Sequence, residues 1–169
     1  MRKIVVISFA RTRNSGETML DDADRRILRH YQMMPDEGLG AVAEAAGATP
    51  STLARRLQRL RGLGVIKGVR GVIDWRGLGY EVEVSLRVTL DKTVPRAFDE
   101  FIEAAREVPE VLEIQTFLGR VDVRLGVIAR DMADYQRIYR ERLLALPHIA
   151  DVEALMHVAC VLRRETLPL

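Results

Sequence analysis

The stretch from Thr49 to Arg59, TPSTLARRLQR, gathers hydrogen-bonding side chains at helical spacing. At 100° per residue with Leu53 at zero, Leu57 and Leu60 fall within about 40° of it and form an inward seam. Ser51, Arg55, Gln58 and Arg59 fall opposite that seam, with Thr52 and Arg56 toward one flank. Hydroxyl, guanidinium and amide groups are the types that bond phosphate oxygens and base edges in a DNA major groove. Arg55, nearly opposite the seam, is the candidate base contact, because a guanidinium can hold guanine through two bonds. Arg56 is a candidate phosphate contact, and Thr49, Ser51, Thr52, Gln58 and Arg59 complete the expected DNA-binding set. A basic amphipathic helix is often only a solvated face, so neighbouring elements must decide.

Those elements favour a reader helix. LDDADRRILRHYQ opens with Asp21 and Asp22 as capping candidates and carries Ala23, Ile27, Leu28 and Tyr31 on one face. LGAVAEAAG reads as a short second helix ended by Gly47, and Thr49 caps the third, with Pro50 in its first turn. Three helices, the last two joined by a tight turn at Gly47 and Ala48, have the outline of a helix-turn-helix. VIKGVRGVID then reads as a connecting strand or small wing.

Beyond Tyr80 the pattern changes. YEVEVSLRVTL alternates, with Val82, Val84, Leu86, Val88 and Leu90 on one face. A helix with Phe98, Phe101, Ile102 and Ala105 as its stripe follows, then strands EVLEIQTFL and VDVRLGVIA. Next come a helix with Met132, Tyr135, Ile138, Tyr139 and Leu143 inward, and a last strand, DVEALMHVACVLRR. The order βαββαβ is ferredoxin-like, giving an α+β chain. Expected boundaries are an extension at 1–19, a (winged) helix-turn-helix at 20–66, a linker strand at 67–79 and an α/β sandwich at 80–169. Helices on one face leave the other sheet face to be covered. Homodimerisation is the expected cover, with Val152, Ala154, Met156, Val158 and Cys160 of the last strand as apolar support.

Length and charge agree with two small units. The 169 residues carry only +2 overall, but residues 21–70 hold nine basic against six acidic residues, while residues 77–169 hold twelve against sixteen. A positive N-terminal part and a negative C-terminal part suggest that the first meets an anion. One cysteine, Cys160, excludes an internal disulfide framework and fits the cytoplasm. The apolar run at 4–10 is short for a leader and is followed by Arg11 and Arg13, so residues 1–18 read as an appended strand, an arm or a start-site artefact with Met19 as alternative initiator. No apolar stretch approaches a membrane span of roughly 20 residues. His30, His148 and His157 lack metal-ligand spacing, and no nucleophile elbow or phosphate loop is present, so no metal, cofactor or enzyme activity is expected.

The residues LDDADRRILRHYQ, PST with LARRLQRL, LGVIKGVRGVID, LGY, LGRVD and the ending LRRETLPL resemble the Lrp/AsnC family of feast/famine transcriptional regulators. The resemblance covers residues 20–169. It implies DNA binding at a pseudo-palindromic operator, dimers assembling into tetramers or octamers, and a small effector, often an amino acid. It places that effector at the Gly-x-x-Asp turn, here Gly119, Arg120, Val121 and Asp122. Turn amides could hold a carboxylate and Asp122 an α-ammonium. His157 could approach the same cleft. Arg120 stands where the family more often has an acidic residue, which points to an effector with a second acidic group or to lost control. The alternative is a sirohaem-decarboxylase-like tetrapyrrole enzyme of the same architecture.

Overall fold

The computed structural model describes residues 2–7, 20–162, 164 and 166–169; the alternative initiator Met19 lies outside them. The backbone of β1 (Arg2–Ile7) pairs antiparallel with β2 (Ile66–Val72), a two-stranded ribbon. Between them lie three helices, α1 (Asp22–Met33), α2 (Leu39–Ala45) and α3 (Pro50–Gly62). Two compact units result. One comprises the described residues up to Ile73 together with those from Leu162 onward; the other spans Asp74–Val161.

Local chemistry fixes the helix ends. Asp21 caps α1 in a reciprocal box: its Oδ1 accepts the Asp24 amide at 2.7 Å, and Asp24 Oδ2 accepts the Asp21 amide at 3.2 Å. Thr49 caps α3 through the Thr52 amide at 3.2 Å, with Pro50 in the first helical position. Gly47 between α2 and α3 has φ +63°, a left-handed conformation that glycine adopts without a Cβ clash, so the turn is tight. Ile27, Leu28, Tyr31, Val42, Ala43, Leu53, Leu57 and Leu60 pack into one core, and the seam of α3 is where its period placed it.

The same core receives the C-terminal tail. Leu169 packs against it, the Gln32 side-chain amide donates to Leu167 O at 2.7 Å, and Gln32 Oε1 accepts the Leu167 N–H at 2.8 Å. Arg29 Nε also donates to Leu169 O. A side chain that satisfies both backbone groups of one residue acts as a strand partner would, so the tail belongs physically to the first unit.

The second unit has β3 (Val82–Leu90), α4 (Ala97–Arg106), β4 (Val111–Thr116), β5 (Val123–Ala129), α5 (Met132–Ile138) continued by a wide π-type turn (Tyr139–Leu143), and β6 (Ile149–Met156). Its sheet order is β4-β5-β3-β6, all antiparallel, as the ferredoxin-like order requires. Two helix stripes shift. Met132 is exposed, one turn ahead of the first buried position, Tyr135, and Phe98 is exposed because Ala97, Phe101 and Ala105 at i, i+4 and i+8 take the buried line.

The last strand departs from expectation in length and in face. It ends at Met156, and the last ladder bond runs from His157 N–H to Glu83 O, because β3 begins at Val82 and offers little further backbone. Val158 and Cys160 therefore lie beyond the strand, exposed. Val152, Ala154 and Met156 pair directly with Val88, Leu86 and Val84, which are buried on the helix side. Directly opposed residues share a face, so these three do not line the uncovered face. That face carries Ser85, Arg87, Arg124, Gln115 and Glu153, with ion pairs Arg87–Glu153 at 3.4 Å and Arg124–Glu113 at 2.7 Å.

Candidate nucleic-acid interface and effector turn

The outward face of α3 is built as its sequence implied, but its arginines are not equivalent. Thr49, Ser51, Arg55, Gln58 and Arg59 are exposed and Thr52 half-buried. The Thr49 hydroxyl also bonds Thr52 Oγ1 at 2.9 Å and lies 3.1 Å from Ser51 Oγ, so the amino end of the helix presents a small hydroxyl cluster. Arg55 has no ion-pair or hydrogen-bond partner for its side chain among the described residues.

Arg56 and Arg59 are engaged. Arg56 Nη1 lies 2.9 and 2.7 Å from the two Asp21 carboxylate oxygens and 2.9 Å from Asp24 Oδ1. Arg59 Nη2 bonds Asp24 Oδ2. Both residues, expected as DNA contacts, turn back in the free chain toward the start of α1. Asp24 is 0% exposed, and a carboxylate at that depth requires paired donors. Sequence reasoning passed over it, although it lies at i, i+3, i+4 and i+7 with Ile27, Leu28 and Tyr31, a charged residue on an apolar stripe. The Arg56 bond, then the Asp24 amide, hold the Asp21 carboxyl down from 3.8 to about 2. The same pair raises Arg56, chiefly through its bond to Asp21. Asp21, Arg55, Arg56 and Arg59 line one open concavity of about 340 Å³.

The turn Gly119-Arg120-Val121-Asp122 joins β4 to β5. Asp122 Oδ2 accepts the Leu90 amide at 2.9 Å, and Oδ1 lies 3.3 Å from Lys92 Nζ. Thr89 Oγ1 donates to Arg120 O at 3.0 Å, and the Asp122 amide to Val88 O at 3.0 Å. Both oxygens of Asp122 thus tie the turn to the end of β3 in the single chain. Gly119 has no positive φ, and a Cβ there would meet nothing within 4 Å, so nothing in the single chain demands glycine. Arg120 is exposed and Val121 half-buried.

His157 is not brought to this turn. Its Nδ1 lies 3.1 Å from Glu83 Oε1, at one end of β3, whereas the turn pairs with Val88 and Thr89 at the other. Five residues of strand separate them, about 17 Å at roughly 3.4 Å per residue. Among the described residues there is no group of three or more His, Cys, Asp or Glu placed to hold a metal, and no helix long and apolar enough to cross a membrane.

A three-helix unit with an arginine-bearing third helix, carried on the same chain as a ferredoxin-like sheet unit, defines a two-part class of protein, and known proteins share it. Residues 83–167 match the model of the Lrp/AsnC ligand binding domain. The chain is 30% identical over 148 residues to a proline dehydrogenase transcriptional activator of Rhodobacter capsulatus, covering 88% of this chain and 96% of that one. It is 28% identical over 132 residues to the leucine-responsive regulatory protein of Escherichia coli K12, covering 78% and 80%. The crystal structure of an AsnC family transcriptional regulator from Agrobacterium tumefaciens superposes with TM-score 0.80 at 26% identity, covering 88% and 97%. This chain belongs to the Lrp/AsnC family. These relatives are named as transcriptional regulators, which sets aside the tetrapyrrole-enzyme alternative.

Proposed function

We propose that this protein is a cytoplasmic, sequence-specific DNA-binding transcriptional regulator, with residues 20–66 as its winged helix-turn-helix and α3 as the reader. The observation that carries the reading is Arg55, an exposed guanidinium with no side-chain partner among the described residues, opposite a fully buried leucine seam and beside the hydroxyl cluster of Thr49, Ser51 and Thr52. The sheet unit, Asp74–Val161, is the part that dimerises and takes an amino acid or related metabolite. Support for the effector is the family's ligand-binding domain and a relative named for its response to leucine. Gly119, Arg120 and Val121 are the proposed contacts: the turn is held rigid by Asp122, and a glycine that its own chain does not require fits close approach by a ligand or second copy.

A homodimer, assembling further to a tetramer or octamer, would place two reader helices in successive major grooves of a pseudo-palindromic operator. Ser85 and Ile128 are already buried on the otherwise open sheet face and are the proposed centre of that contact. The test is a gel shift on the chain's own upstream DNA across a panel of amino acids. Salt-dependent binding, altered by one of them, is expected; binding to no duplex at any salt refutes the reading. A monomeric sedimentation profile at micromolar concentration would remove the dimer. An unchanged effector response in Arg120→Ala would remove the turn.

A further inference from the structure

We propose that Asp21 and Asp24 are specificity-determining residues of the reader helix: by bonding Arg56 and Arg59 they withhold two guanidinium charges from indiscriminate contact with phosphates. The proposal rests on the DNA-binding reading of α3. Its starting point is the concavity that Asp21, Arg55, Arg56 and Arg59 share. Three arginines line it, but the carboxylates of Asp21 and Asp24 reach into the same cluster, so the cluster carries one net positive charge. Arg61, the fourth arginine of α3, donates to Tyr31 Oη at 2.9 Å. Among the four, Arg55 alone has no side-chain partner among the described residues.

The consequence follows from how duplex binding divides. Phosphate contacts are blind to sequence, and each one adds about −0.9 to the slope of log affinity against log salt. Specificity is the ratio of affinity for the right site to affinity for any site, and a device that weakens the second raises the ratio. For Arg56 to give a phosphate its Nη1, that nitrogen must leave three carboxylate oxygens at 2.7–2.9 Å, and a phosphate that meets its other edge meets the Asp21 charge beside it. For Arg59 to give its Nη2, Asp24, wholly buried, must lose a charged donor. Generic contact by either residue is therefore penalised, while Arg55 reads bases unhindered. Asp21 is the adjustable member, since its side chain is 53% exposed and anion exchange there needs no unpacking.

Asp24 cannot be tested cleanly, because its loss strikes the core, but Asp21 can. Asp21→Ser and Asp21→Asn both keep a capping oxygen for the Asp24 amide and remove the charge opposite Arg56. Binding of the full chain to its own upstream duplex and to a scrambled duplex is measured by fluorescence anisotropy from low to physiological salt. Both variants should bind the scrambled duplex several-fold more tightly, with a slope steeper by about 0.9 and a lower ratio of specific to non-specific affinity. Their melting temperatures should fall by no more than about 8 °C, the worth of one exposed ion pair in a unit of this size. A purely structural role would lower the melting point and leave the slope alone. If the parent binds DNA and neither variant changes slope or ratio, the proposal is overturned and the reader assignment stands. If the parent binds no duplex, both fall together.

Discussion

Arg55 and Arg59 share the exposed face of α3, yet alanine at the two positions should have opposite consequences. Arg55 has no side-chain partner within the described chain, so Arg55→Ala should leave stability within about 0.5 kcal/mol of the parent. Its loss from a base contact should cost about 1–3 kcal/mol of binding, a 5- to 150-fold weaker specific complex at 1.4 kcal/mol per tenfold. Arg59→Ala instead removes one charged donor from Asp24, which is wholly buried. Leaving a buried charge without any partner costs about 3–5 kcal/mol. Arg56 still bonds Asp24 at 2.9 Å, and the Asp21 amide at 3.2 Å, so a loss of about 1–3 kcal/mol is expected. For a unit of this size that is roughly 4–24 °C of melting temperature. Calorimetric melts and anisotropy titrations well below both transitions measure the two quantities on the same samples. An Arg59→Ala protein that melts with the parent would refute the role of Arg59 at Asp24, and an Arg55→Ala protein that binds the operator equally well would refute the base contact.

Acid should loosen the fold in a defined window. Asp21 is held down to about 2 chiefly by Arg56, Asp91 is lowered by the Thr93 hydroxyl, and Asp134 by the Arg130 amide and then Arg137. Because these folded values are depressed, the unfolded chain takes up protons first; the stability they supply is complete above about pH 4 and drains away as pH falls toward 2. Urea melts across that range should show the decline, and Asp21→Ser should flatten part of it; a parent whose midpoint does not move between pH 4 and 2 would contradict the assignment. For the tail, Gln32→Ala removes both bonds to Leu167, a loss of about 1 kcal/mol that hydrogen exchange would register as roughly fivefold faster exchange at the Leu167 amide. Exchange at the parent rate would mean that the side chain does not hold the tail.

How much of this was legible depended on whether a feature is periodic. The leucines of α3 recur at 0, 40 and −20°, with a capping threonine and a proline ahead of them, so the buried seam could be read directly. The alternation of β3 fixed its core face equally well. Which atoms an outward side chain then bonds is not periodic. Arg56 and Arg59 meet Asp21 and Asp24 across more than 30 residues, and only the packing of α1 on α3 brings them together. The end of β6 was hidden for a similar reason: VACVL has strand composition, but a ladder stops where its partner stops, and β3 starts at Val82. His157 and the Gly119–Asp122 turn share a unit, and only the register shows them at opposite ends of one strand. The tail on Gln32 left no sequence signal at all.

The balance of residues 21–70 overstates what an approaching phosphate would meet, and this yields a last expectation. Of the nine basic residues there, Arg26 Nε donates to Ala46 O at 2.9 Å, Arg29 to Leu169 O, Arg61 to Tyr31, and Arg56 and Arg59 to carboxylates. Arg25, Arg55, Lys67 and Arg70 are exposed without a side-chain bond among the described residues, and an anion can take these without breaking anything. Each such residue that touches a phosphate contributes about 0.9 to the salt slope, whereas an arginine that stays on its aspartate contributes nothing. On a scrambled duplex, Lys67→Ala and Arg70→Ala should therefore flatten the slope by up to about 0.9 each, and Arg59→Ala should leave it where it was. Equal flattening by Arg59→Ala would show that DNA draws that guanidinium off Asp24. The buried carboxylate would then be a partner the helix exchanges on binding, and charge pairing in the free chain could no longer be used to rank its contacts.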